Sequence, residues 1–95
     1  MTAHELKTWP GFFAGIVTGE KTAEVRRNDR NFAVGDTLVL REYNAETGEY
    51  TGRVERRRVG RVDDLRPVTG VPGLVLLSFE HAGWVLTPEE GDDGD

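Results

Sequence analysis

The run Thr37–Asn44 alternates its side chains with a period of two. Leu38 and Leu40 share one face, while Thr37, Val39, Arg41 and Tyr43 share the other. This pattern, rich in strand formers, predicts a β-strand with one buried face. Ala45–Glu49 follows with a glycine near its end, which predicts a hairpin loop. The return strand runs from Tyr50 to about Val62, bent at Gly52 or Gly60. A hairpin with one apolar face is marginal alone, so the rest of the chain must cover it. A chain of 95 residues supports one domain with a thin core.

The remaining segments supply that cover. His4–Thr8 reads as a short strand of mixed polarity, and Trp9-Pro10-Gly11 as a turn. Pro10 suits the first turn of a helix, where its missing N–H is no loss. Phe12, Phe13, Ile16 and Val17 give Phe12–Thr18 a helical apolar pattern, with Trp9 packed at its start. Core packing is the expected role of these aromatics. Gly19 ends the helix in a left-handed conformation, and Thr22–Arg27 reads as a strand. Val34-Gly35-Asp36 is a tight turn into Thr37. Asp63–Gly73 is a loop marked by Pro67, Gly70, Pro72 and Gly73. Leu74–Glu80, the most apolar run, reads as a central strand, and His81–Leu86 as a brief edge strand. The sum is an α+β domain over residues 1–87, in which a mostly antiparallel sheet of five or six strands curls into a small β-barrel with one main helix. Residues 88–95 read as a disordered acidic tail.

Glu89–Asp95 holds five acidic residues and no base; without it the formal charge rises from -5 to zero. A net negative charge opposes nucleic-acid binding, but the bases cluster: Arg26, Arg27 and Arg30 in one group, Arg53, Arg56, Arg57, Arg58 and Arg61 in another. The second group reads as the wet face of an outer strand rather than a phosphate-tracking stripe. The absence of cysteine excludes disulfides, thiolate zinc sites and a cysteine nucleophile. His4 and His81 lie too far apart to suggest a metal site, and both read as structural or exposed. No metal and no cofactor are expected. No apolar run approaches a membrane span and the N-terminus has no signal-peptide pattern, so the expected location is the cytoplasm.

The candidate site is the stretch Gly19–Arg30. Alternation places Ala23 and Val25 on one face, as core residues, and Thr22, Glu24 and Arg26 on the other, an unusually polar inner or outer row. The turn Asn28-Asp29-Arg30 adds further donors and acceptors. Lys21, Glu24, Arg26 and Arg30 are thus expected within reach of one pocket. The bland reading of that row is a solvated strand face, where ion pairs are worth little.

Several residues carry a family resemblance. His4-Glu5-Leu6-Lys7, Phe13, Gly19, Lys21-Thr22, Glu24, Arg26, Asn28-Asp29-Arg30, Phe32, Val34-Gly35-Asp36 and Leu40-Arg41-Glu42-Tyr43 together resemble the ASCH/PUA-like superfamily, in particular its small branch of bacterial and phage proteins. The likeness runs from His4 to about Phe79. It implies a β-barrel with a helix beside a cleft lined by Gly19–Arg26, and binding of RNA or modified nucleic acid. Some ASCH relatives are amidohydrolases of N4-acylated cytidine that use a lysine, a threonine and a distant glutamate. Lys21 matches the lysine. Glu24 stands where the threonine is expected, Thr22 sits two residues earlier, and Glu80 fits the distant glutamate poorly. The resemblance therefore implies a binding cleft more than a reaction.

Three functions are weighed. The first is a module binding RNA or a modified nucleotide. Lys7, Lys21, Arg26, Arg27, Asn28 and Arg30 meet phosphate or base edges, Glu24 accepts from an exocyclic amine, and Tyr43 or Trp9 stacks. The second is an amidohydrolase with Lys21 as base, Glu24 assisting, and Thr22 as nucleophile or orienter. The third is a phage-type module that engages a protein partner through the acidic tail.

Overall fold

The computed structural model describes residues 1–80. The expected edge strand His81–Leu86 and the acidic tail lie outside the described residues. Five strands and two helices follow in the order β1 (Ala3–Thr8), α1 (Pro10–Thr18), β2 (Ala23–Arg27), β3 (Thr37–Asn44), β4 (Glu49–Asp64), α2 (Arg66–Thr69) and β5 (Leu74–Phe79). The fold is a small sheet-rich α+β domain. Strand order is β1-β3-β4-β5-β2. β1 runs parallel to β3, and the other three pairings are antiparallel. The expected bends of β4 fall at both glycines: the ladder slips between Val59 and Arg61 and, opposite Gly52, between Arg41 and Tyr43.

The core lies inside the curl. Leu6, Leu38, Leu40, Val59, Val75, Leu77 and Phe79 point inward from the strands. Ile16 and Phe13 of α1 cover one end, where the helix packs on β3 and β4. Full burial of each such side chain contributes about 2 kcal/mol. Gly19 ends the helix at φ 87°, and Arg57 donates from Nη2 to the Ile16 carbonyl at 2.9 Å. A cation at a helix C-terminus also complements the helix dipole.

The sheet curls without closing into a barrel. β1 and β2 are its two edges and form no ladder with each other. Two arginines from the β2 side bridge the seam instead: Arg26 Nη2 donates to the Lys7 carbonyl and Arg30 Nη1 to the Glu5 carbonyl, each at 2.6 Å. Both carbonyls belong to the free edge of β1, and covering them blunts an edge that otherwise invites foreign strands.

Two expectations about burial are corrected. The faces of β2 are inverted: Glu24 is buried and Val25 is 53% exposed. The cause is register. Glu24 and Arg26 pair with Leu77 and Val75, whose side chains are the inward ones of β5, and directly paired residues share a face. The aromatics also divide. Phe13 and Ile16 are core, whereas Trp9 and Phe12 are 58% and 56% exposed and Val17 is also exposed. Successive helical residues differ by about 100° in direction, so Phe12 and Phe13 cannot both face one core.

Candidate functional site

The seam widens beside α1 into a hollow of about 440 Å³, within the usual range for small-ligand sites. β1 contributes Lys7 and Thr8, and the start of α1 contributes Trp9 and Phe12. The segment after the helix brings Lys21, and β2 brings Glu24, Val25, Arg26 and Arg27.

At its centre stands an ion triad. Glu24 Oε1 lies 3.2 Å from Lys21 Nζ. Glu24 Oε2 accepts from Arg26 Nε at 3.2 Å and from Nη2 at 3.1 Å. The carboxylate is buried while the two cations are about a quarter exposed. A buried charge is tolerable only when paired in this way. Lys21 is placed by the helix end: its N–H donates to the Gly15 carbonyl at 2.9 Å. A Cβ on Gly15 would stand 3.1 Å from Lys21 Cβ, so the missing side chain lets the lysine lie against the helix. Lys21 Nζ also sits 5.1 Å from the centre of the exposed Phe12 ring, a cation–π contact.

The hollow is more positive than the protein around it. Four cations, Lys7, Lys21, Arg26 and Arg27, face the single carboxylate of Glu24. Yet residues 1–80 hold as many acids as bases. The β4 arginines do not add a second free patch. Arg53, Arg57, Arg58 and Arg61 each face a carboxylate, of Glu42, Glu55, Glu80 and Asp63 respectively, which leaves Arg56, alone of the five, exposed with no carboxylate within ion-pair distance among the described residues.

Other candidates stand apart from the hollow. Asn28 Oδ1 accepts from the Phe32 N–H at 2.9 Å and shapes the turn. Arg30 serves the seam. Tyr43 stacks edge-on with Tyr50 and lies beneath Lys7 Nζ, 4.5 Å from ring centre to nitrogen. Thr22 is exposed and absent from the lining. Thr8 was missed by the sequence reading. Its hydroxyl is buried with no hydrogen-bond partner among the described residues. Strand alternation with His4 and Leu6 was the signal that placed it inward. The adjacency of Phe12 and Phe13 was the signal for Phe12.

A second polar cluster is structural. His4 Nε2 lies 2.9 Å from Asp36 Oδ2, and Asp36 also accepts from the N–H groups of Thr2 and Ala33. The hydrogen bond to His4, and next those backbone donors, hold the Asp36 carboxyl below the ordinary carboxylate range. No group of side chains able to hold a metal occurs among the described residues, and no helix there is long and apolar enough to cross a membrane.

The chain is similar to the "Uncharacterized 12.9 kDa protein in GpA 3'region" of Escherichia phage P2, with 42% identity over 62 residues. That stretch covers 65% of this chain and 55% of the phage protein, so the chain spans about half the length of this relative. Residues 3–79, which contain every element of the fold and the whole hollow, match the family model described as Domain of unknown function (DUF3850), and the chain belongs to that family.

Proposed function

We propose that the hollow binds a nucleotide, free or within RNA, in an ASCH/PUA-like setting. One observation carries the reading: a surplus of positive charge is concentrated beside two exposed aromatic rings, while the rest of the body is net negative. Phosphate is met by the exposed Lys7 and Arg27, and a base stacks against Trp9 or Phe12. Glu24 holds Lys21 and Arg26 ready, so little ordering is left to the ligand.

The pairing inside the triad supports binding over hydrolysis. Glu24 is engaged by Lys21 Nζ at 3.2 Å on Oε1 and by Arg26 on Oε2, so the carboxylate holds two cations in place for a ligand rather than standing open to a reacting group. Thr22 also lies outside the lining, which leaves the matching run without its hydroxyl.

Titration with short single-stranded RNA and with nucleoside monophosphates at 50 and 200 mM salt tests the reading. Binding that weakens steeply with salt for RNA, and at least tenfold on combining Lys21→Ala with Arg26→Ala, is expected. Equal affinity of the folded double variant and the parent for every ligand refutes it.

A further inference from the structure

Resting on the nucleotide reading, we infer that the nucleotide arrives within single-stranded RNA, which leaves the hollow over Lys7 and crosses the outer face of the β3–β4 hairpin to Arg56. Register places these residues. Lys7 of β1 pairs with Arg41 of β3, and Val39 of β3 pairs with Arg56 of β4. Leu6, Leu38 and Leu40 point into the core, so alternation turns Lys7, Val39, Arg41 and Tyr43 outwards. Arg56 shares the face of its partner Val39. Neighbouring strands lie about 4.8 Å apart, and Arg56, diagonal to Arg41, stands about 7 Å from it. Lys7, Arg41 and Arg56 thus form a line of cations over three strands, at steps that successive phosphates of a stretched strand can follow.

The line begins at the hollow, because Lys7 belongs to its lining while the ammonium lies over the Tyr43 ring outside it. Tyr43 meets Tyr50 edge-on at 5.1 Å, and Arg41 Cζ sits 4.0 Å from the centre of the Tyr50 ring. Tyr50 remains 41% exposed. Interleaved cations and rings suit a single strand, whose backbone takes the charge and whose bases take the π-faces. An acidic peptide meets the charge but has no use for the rings. The carboxylates nearby do not close the path. Glu5, 3.5 Å from Arg41, is itself 70% exposed, and such a pair is worth little. Arg58, further along the same face, is claimed by Glu80, so the free cations end at Arg56.

The test titrates the full chain with UMP and with oligouridylates of two, five and ten residues by calorimetry, at 50 and 200 mM salt. The hollow and the line together hold about four nucleotides. Affinity is therefore expected to rise at least tenfold from UMP to the pentamer and to level off by the decamer. Arg56→Ala should weaken the pentamer about threefold and lower its salt slope by about 0.7, the share of one phosphate contact on a single strand. UMP, confined to the hollow, should bind the variant as it binds the parent, and Arg56→Lys should restore the slope. Three results overturn the inference and leave the nucleotide reading standing: a pentamer no tighter than UMP, an Arg56→Ala variant with the affinity and slope of the parent, or a peptide of five aspartates that binds as tightly as the pentamer. Absence of binding by UMP and by every strand overturns both.

Discussion

Arg26→Lys separates the geometry of the triad from its charge. The guanidinium makes two bonds to Glu24 Oε2 and one across the seam to the Lys7 carbonyl. A lysine ammonium keeps the charge but lacks the planar fork, so it retains one of these contacts at most. Two charge-assisted bonds are lost. Each is worth about 1.5 kcal/mol when buried, and the 27% exposure of the Arg26 side chain lowers that to about 1 kcal/mol. The net loss is therefore about 2 kcal/mol. For a domain of this size that corresponds to a fall of about 10 °C in Tm. Thermal unfolding followed by far-ultraviolet circular dichroism measures it, and urea unfolding gives the free energy. A double-mutant cycle with Glu24→Gln should return a coupling of at least about 1 kcal/mol. A melting temperature within 2 °C of the parent would show that neither the triad nor the seam depends on the fork, and the account of both would fail.

Three further outcomes are expected. Thr8→Val removes a buried hydroxyl without a partner and should raise stability by about 1 kcal/mol in urea unfolding; a loss of stability would reveal a partner for that hydroxyl. Because the Asp36 carboxyl is held below its unfolded value of 3.8, its contribution is complete well above that pH and drains away as pH falls through the folded value. Urea midpoints followed from pH 7 to pH 2 should accordingly drop less steeply below pH 4 in Asp36→Asn than in the parent, and parallel curves would contradict this. Gly15→Ala should displace Lys21 from the helix end and weaken nucleotide binding several-fold despite the better helix propensity of alanine; unchanged binding would show that the lysine position does not depend on this contact.

The parts of the fold that could be read from residues alone are those set by local rules. β3 occupies the expected Thr37–Asn44, because its alternation and its flanking turns agree. Gly19 takes the left-handed cap for the reason its position suggested. The four-residue helix α2 was overlooked although Pro67 and Gly70 mark its ends; a single turn that buries nothing leaves no apolar period. What could not be read depends on distant partners. Val25 looks like a core residue until β5 claims the neighbouring face, and the arrival of β2 at the edge opposite β1 has no local signal. Barrel closure was inferred from a sheet that must curl, but guanidinium groups rather than a ladder cross the seam. At the site, Lys7, Lys21, Glu24, Arg26 and Arg27 do meet in one hollow. Asn28 and Arg30 follow in sequence but bond to the turn and to the seam, and Tyr43 touches the hollow only through Lys7, outside its lining.

A map of amide shifts in ¹⁵N-labelled protein on titration with UMP shows whether ligand enters the hollow between the two open edges. Shifts concentrated in residues 7–12 and 21–27, saturating together with one affinity, are expected. Shifts confined to the arginines of β4, or none at millimolar UMP, would contradict it.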